Sequence, residues 1–90
     1  MKLSQEKRDK ITEQVLSILF HNFPKSLFTA EIAREIARDE EFIKDLMIEI
    51  SNKGLITAIK KNAEGADYSR RIKWRISNPA YEAYKQNIIV

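Results

Sequence analysis

The chain has 90 residues, 43% of them hydrophobic, with no cysteine and a formal net charge of +3. This length predicts a single domain, residues 1–90, with a modest core, and the missing cysteines exclude a disulfide framework and a thiolate metal site. No segment approaches the roughly 20 apolar residues of a membrane helix, and the charged N-terminus is not typical of a signal peptide. We therefore expect a cytoplasmic protein without membrane contact.

The first predicted helix runs from about Ser4 to about His21. Its core stripe repeats at helical spacing and consists of Ile11, Val15, Ile18 and Leu19. Leu16 and Phe20 form a second apolar stripe on another flank. A helix that is apolar on two sides either lies inside the domain or contacts a partner, and in so small a domain we favour the partner.

Two short helices are predicted between residues 29 and 55. Thr29 is a suitable N-cap for the first helix and Asp39 for the second, with a tight turn from about Ala37 between them. Their apolar stripes are Ile32, Ala33, Ile36 and Ala37, and then Ile43, Leu46, Met47 and Ile50. Gly54 stands where a helix commonly ends in a left-handed residue. Two short helices this close together, each apolar on one side, predict a helix-turn-helix.

A β-hairpin is predicted next. Residues 55–60 are typical of a strand, and residues 62–67 contain turn-forming residues. Residues 71–77 alternate strictly between the two faces of a strand, with Ile72, Trp74 and Ile76 on one face and Arg71, Lys73 and Arg75 on the other. This alternation places Trp74 in the core and three basic residues on the outer face.

The last predicted helix begins with Asn78 as its cap and Pro79 in its first turn. Its apolar face consists of Tyr81, Tyr84 and Ile88. Residues 78–90 would expose apolar surface unless they pack on the body or on a second copy. Together with the second stripe of the first helix, this tail predicts a homodimer held by the terminal helices.

The order of three helices, a hairpin and a fourth helix predicts an α+β fold, the winged helix, in which the hairpin is the wing. The sequence resembles the winged helix-turn-helix DNA-binding domains of small MarR/ArsR-like transcription regulators, of archaeal or viral type. The positions that carry the resemblance are Ala33, Ala37, Arg38, Asp39, Lys53, Gly54 and Leu55. Ala37 replaces the family's turn glycine and Arg38 its buried aliphatic residue, but we expect the turn to survive both changes.

This resemblance implies that the second helix of the motif enters the major groove of duplex DNA. Its outward positions would be Glu40, Glu41, Phe42, Lys44 and Asp45. Residues 31–49 hold three basic and seven acidic residues, a net charge of −4, which opposes binding to phosphates. Phe42 either contacts a protein partner or packs under the preceding helix, so a protein partner at this acidic helix remains an alternative.

The hairpin is the stronger candidate for binding nucleic acid, because residues 60–75 hold six basic and two acidic residues, a net charge of +4. The predicted contacts are Lys60, Lys61, Arg70, Arg71, Lys73 and Arg75, supplemented by Arg34, Arg38 and Lys44. A basic wing can follow a phosphate strand or enter the minor groove. The alternative is a solvated strand edge, where basic side chains prevent edge-to-edge pairing.

No motif predicts catalysis, since His21 has no second histidine or cysteine beside it and the chain has no glycine-rich phosphate loop. We therefore expect no enzyme, no cofactor and no metal. The first predicted function is a DNA-binding transcription regulator that relies on its wing. The alternatives are a protein-interaction winged helix in a larger assembly and an RNA- or ribosome-associated winged helix. The predicted protein contacts are Leu16, Phe20, Phe42, Tyr84 and Ile88.

Overall fold

A computed structural model describes residues 4–59 and 72–88 of the chain. The elements, in chain order, are α1 Gln5–Asn22, β1 Leu27–Phe28, α2 Thr29–Glu35, α3 Glu40–Asn52, β2 Ile56–Ile59, β3 Lys73–Ile76 and α4 Asn78–Ile88. Four predicted basic contacts, Lys60, Lys61, Arg70 and Arg71, lie outside the described residues. The α+β winged-helix prediction is confirmed, with β1 as an element that the sequence pattern did not predict.

The three strands form an antiparallel sheet in the order β1-β3-β2. Trp74 lies in the central strand, opposite Leu27 of β1 and Ala58 of β2. Ile76 follows on the same face of β3, opposite Ile56. The strict alternation predicted for β3 is confirmed, since Trp74 and Ile76 are 2% and 1% exposed.

The core joins this inner sheet face to one side of α1, α2 and α3. Its buried hydrophobic residues are Ile11, Val15, Leu19, Leu27, Ile32, Ala33, Ile43, Leu46, Met47, Ile50, Ile56, Trp74 and Ile76. Most of these residues belong to the periodic stripes that the sequence predicted. No helix in the described ranges is long and apolar enough to cross a membrane.

The start of α2 differs from the prediction at Thr29. Thr29 is the first residue of the helix rather than its cap, and its Oγ1 accepts a hydrogen bond of 2.8 Å from the buried indole nitrogen of Trp74. The backbone N–H of Phe28 instead donates to Oε1 of Glu31 at 2.8 Å. The Thr29 cap was therefore wrong: Phe28 is the residue before the helix, and the Thr29 hydroxyl bonds to Trp74 of the central strand.

α3 begins and ends as predicted. Asp39 caps its N-terminus, where Oδ2 accepts a hydrogen bond of 3.1 Å from the backbone of Phe42. At the C-terminus Gly54 has φ = +80°. The backbone N–H of Leu55 bonds to the carbonyl of Ile50 at 3.3 Å, and that of Gly54 to Ser51 at 2.9 Å. This pair of bonds is the Schellman motif, which satisfies the last helix carbonyls.

The same motif ends α2, but with alanine in the left-handed position. Ala37 has φ = +54°, its N–H bonds to the carbonyl of Arg34 at 3.2 Å, and the N–H of Arg38 bonds to that of Ala33 at 2.9 Å. The tight turn was predicted correctly. Ala37 itself is exposed and so does not belong to the apolar stripe in which the sequence placed it.

α4 starts one residue earlier than predicted, at Asn78, which the sequence reading took as the cap. The hydroxyl of Ser77 accepts a hydrogen bond of 3.3 Å from the backbone of Ala80, so Ser77 is the capping residue and Asn78 is already helical. Ser77 Oγ also donates to the carbonyl of Gly54 at 2.8 Å. One side chain therefore joins the beginning of α4 to the chain just beyond α3.

α4 covers part of the second apolar stripe of α1. The ring of Phe20 lies 5.0 Å from Tyr81 and 4.7 Å from Tyr84, measured between centroids. Phe23, which follows α1, stacks on Tyr81 at 3.9 Å. Two residues predicted to contact a partner, Phe20 and Tyr84, thus contact each other within one chain. Ile88 ends α4, and its side chain lies outside the described part of the structure.

We expect Ala37→Gly to raise the free energy of unfolding by about 0.5–1 kcal/mol. A left-handed conformation costs an L-residue roughly 1–2 kcal/mol, and glycine at this position would relieve that strain. The greater freedom of glycine in the unfolded chain offsets about 0.5–1 kcal/mol of the relief. The matched control is Ala83→Gly, at an exposed position inside α4, which should lower stability by about 0.5–1 kcal/mol. Urea denaturation of both variants is the measurement, and equal losses would contradict the strained turn.

Candidate nucleic-acid interface

The second helix of the motif, α3, is held by a fully apolar inner face. Ile43, Leu46, Met47 and Ile50 are at most 2% exposed. The opposite face consists of exposed residues, Glu40, Glu41, Lys44, Asp45, Ile48 and Asn52. The structure therefore brings Lys44 and the predicted acidic positions together on one outward surface, which we call the α3 face.

Ile48 is a member of this face that the sequence reading missed. Ile48 is 43% exposed, and among the described residues no other large hydrophobic residue is classed as exposed. The sequence did indicate this exposure, because Ile48 lies outside the Ile43-Leu46-Met47-Ile50 stripe. It also follows Lys44, an outward residue, by four positions. Residues four apart lie on one side of a helix, so Lys44 and Ile48 are neighbours.

Phe42, in contrast, does not point outward. It is half-buried and packs against the core, and the guanidinium carbon of Arg8 lies 5.7 Å from its ring centroid. Arg8 belongs to α1, so the ring is directed to the flank between α1 and α3. Packing within the domain therefore agrees with the structure, but the ring lies against Arg8 of α1, and the predicted place under the preceding helix stays a prediction.

An ion pair fixes the same flank. Arg8 of α1 donates to Glu49 of α3, and Nζ of Lys53 lies 4.0 Å from the other carboxylate oxygen of Glu49. The side chains of Arg8, Glu49 and Lys53 are 27%, 40% and 61% exposed. Ion pairs with this much exposure contribute little to the free energy of unfolding. The Arg8–Glu49 pair joins the C-terminal half of α3 to α1. The sequence reading assigned none of these three residues to such a contact.

The basic residues of β3 lie on its outer face, as the alternation predicted. Nζ of Lys73 is 4.8 Å from the ring centroid of Phe28, and the guanidinium carbon of Arg75 is 5.8 Å from that of Phe23. Both cations are half-buried, because their stems and charges lie against aromatic rings. These rings hold the two cations at the base of the wing.

The remaining predicted basic contacts are Arg34 of α2, Arg38 in the turn and Lys44 of α3, and all three are exposed. Leu16, predicted to contact a partner, is half-buried against the core. In residues 4–59 and 72–88, no group of three or more histidine or acidic side chains is arranged to hold a metal ion. Besides its charged side chains, the described surface exposes one large hydrophobic side chain, Ile48.

Several solved structures are similar to this chain in fold. The chain is similar to a mutant of Lactococcus lactis ZitR in apo form, with a TM-score of 0.64 and 14% identity over 93% of this chain and 61% of that one. It is similar to a mutant MepR from a multidrug-resistant S. aureus clinical isolate, with a TM-score of 0.64 and 19% identity over 89% and 62% of the two chains.

A further S. aureus MepR mutant, bound to an oligodeoxyribonucleotide, matches with a TM-score of 0.60 and 18% identity over 93% of this chain and 69% of that one. No protein-family model matches the chain, and no curated protein matches it. These similarities confirm the winged helix-turn-helix fold predicted from the sequence. The chain spans about three fifths of the length of the first two matched structures.

The packing of Phe42 leads to a stability test. We expect Phe42→Ala to lower the free energy of unfolding by about 2 kcal/mol, since a fully buried phenylalanine loses about 3–5 kcal/mol and this ring is half-buried. Ile48→Ala, in the same helix, is the matched control and should change stability by less than about 0.5 kcal/mol. Guanidinium denaturation distinguishes them, and a Phe42→Ala loss no larger than the control would show that the ring is not packed.

Proposed function

We propose that this protein is a transcription regulator that binds double-stranded DNA chiefly through its basic wing, residues 60–75. The observation that carries the proposal is the division of charge on a winged helix. The wing has a net charge of +4, and residues 31–49 of the helix-turn-helix have a net charge of −4. A phosphate backbone is attracted by the first surface and repelled by the second.

The position of the wing cations supports this role. Lys73 and Arg75 lie on the outer face of the sheet, away from the core that Trp74 occupies. The wing sequence contains four further basic residues, Lys60, Lys61, Arg70 and Arg71. We propose that they also contact phosphates. Arg34, Arg38 and Lys44 are exposed and supply further contacts beside α3. One solved structure with this fold, a MepR mutant, was bound to an oligodeoxyribonucleotide, which favours DNA as the ligand.

A protein with this role acts without catalysis and without a cofactor, and we place it in the cytoplasm with the DNA that it would regulate.

We also propose a homodimer that uses the terminal helices. Its contacts would come from Leu16 and Ile88, and the contact between the rings of Phe20 and Tyr84 would hold α4 against α1. Two copies related by a two-fold axis would then present two wings to one duplex.

Sedimentation equilibrium at micromolar concentration tests the dimer. We expect a mass of about twice the 10.5 kDa of one chain, because apolar residues at the end of α4 and on α1 would be covered in the pair. Leu16→Asp should shift the distribution toward the single chain, while Lys10→Ala, on an exposed part of α1, should leave it unchanged. A monomeric wild type would exclude the dimer.

A second candidate function is a protein-interaction winged helix in a larger assembly. The observation that favours it is the α3 face, on which acidic residues surround an exposed Ile48. Protein contacts commonly place an apolar side chain within a polar rim, and Ile48 with its charged neighbours could serve as one such contact. The same basic wing would also suit an RNA- or ribosome-associated winged helix. The fold alone does not distinguish these functions, but their ligands differ.

A salt titration of duplex DNA binding tests the regulator. Wild type should lose affinity steeply with salt, because each phosphate contact contributes about 0.9 to the slope of log affinity against log salt. Exchanging Arg70 and Arg71 together for alanine should lower that slope by up to about 1.8 and weaken every duplex alike. Lys10→Ala, on exposed α1, is the control and should bind as wild type does.

No binding by wild type at roughly 50 mM salt, where electrostatic attraction is strong, would exclude the regulator. The protein-interaction function would then lead. Preference for structured RNA over the same sequence as duplex DNA would favour the ribosome-associated alternative.

A further inference from the structure

The α3 face combines acidic groups with one apolar side chain. Glu41, Asp45 and Ile48 follow one another at spacings of four and three residues, so they lie along one side of the helix. All three are exposed, and none of them belongs to the hydrophobic core. With Glu40 and Lys44 included, the face carries three acidic groups and one basic group, a net charge of −2.

The outer face of the sheet has the complementary pattern. The strand register places Lys73 between Phe28 of β1 and Ile59 of β2, in one row across the three strands. Arg75 lies two residues further along β3, opposite the exposed Thr57. We call these five residues the outer sheet face. Its two cations give a net charge of +2, beside one aromatic and one aliphatic side chain that are half-buried.

The two faces match in charge and in polarity. The α3 face is acidic around an isoleucine, whereas the outer sheet face is basic beside two apolar side chains. Opposite net charges of equal size attract each other, and apolar groups surrounded by polar ones are the common arrangement of protein interfaces. Every copy of the chain carries both faces. We propose that the α3 face of one copy docks on the outer sheet face of a second copy.

This contact is head-to-tail, because each copy contributes a different face. Two α3 faces would repel each other, and so would two outer sheet faces, since their charges are alike. A head-to-tail contact leaves one unused face at each end of the pair, so further copies can add. It differs in this respect from the proposed homodimer of the terminal helices, which closes at two chains. Small contacts, below about 1,200 Å², are characteristic of transient association, so a high protein concentration is needed to populate this one.

The contact requires no DNA and therefore does not depend on the proposed function. Where the proposed function also holds, Lys73 and Arg75 would serve either phosphates or the α3 face of another copy. Self-docking and binding of duplex DNA would then exclude each other, and added DNA would disperse the assemblies. This consequence alone rests on the proposed function.

Sedimentation equilibrium at protein concentrations up to about 1 mM, where weak contacts are populated, tests the contact in the absence of DNA. In roughly 0.1 M salt the average mass of wild type should keep rising with concentration and should not level off at two chains. In roughly 1 M salt the Debye length is about 3 Å instead of about 10 Å. Because the contact is electrostatic, the rise should disappear there.

Two charge-reversed variants serve as controls for each other. The first combines Glu41→Lys with Asp45→Lys, and the second combines Lys73→Glu with Arg75→Glu. Neither variant alone should show the rise in mass, because each then carries two faces of the same sign. An equimolar mixture should recover the rise, since each face of one variant again meets a face of opposite charge on the other. Denaturation curves establish that both variants are folded.

NMR spectra of wild type, recorded from dilute to concentrated samples, need no substitution and decide the matter if a variant does not fold. Amide signals of both faces should shift with concentration, whereas that of Lys10, on exposed α1, should not. The inference is overturned by a mass that stops at two chains, by a mixture of folded variants that recovers nothing, or by shifts confined to one face. The α3 face would then be left to a partner of different sequence, and the test of DNA binding would be unaffected.

Discussion

The hydrogen bond from Trp74 to Thr29 is the contact on which the arrangement of this domain depends. It is 2.8 Å long and joins residues 45 positions apart, and Trp74 is 2% exposed. Trp74 lies in the central strand β3, which pairs with β1 and β2, and its side chain bonds to the first residue of α2. A buried indole N–H without an acceptor costs about 1–3 kcal/mol. The bond therefore fixes where the helix-turn-helix begins relative to the wing.

The rest of the interface follows from this connection. Because α2 starts against β3, the turn at Ala37 and the cap at Asp39 set the direction of α3, and the Arg8–Glu49 ion pair holds its far half. The inner face of α3 is then committed to the core, so only its charged face and Ile48 are free for a ligand. In the proposed function, the basic wing would supply the general attraction to phosphates, and α3 is the other surface that could meet the ligand.

The accuracy of the sequence reading depended on whether the signal was local. The Gly54 stop and the Asp39 cap need only residues within one turn of each other, and both were predicted correctly. The helical stripes are equally local, and they were correct apart from the exposed Ala37. The alternation of β3 was also local and placed Trp74 correctly. The Thr29 cap failed because the competing partner lies on another element. β1 was missed because two residues are too few to show any period.

The sequence by itself determined the winged-helix order, the apolar faces of the helices and the opposite charges of the helix-turn-helix and the wing. These properties depend on residue type and spacing, which periodicity and charge counts read directly. Only the tertiary structure decided that Phe42 packs beneath Arg8, that α4 covers Phe20 and that Ile48 is exposed. In each case the outcome depends on which element lies against a helix flank, and packing between elements distant in the chain decides that.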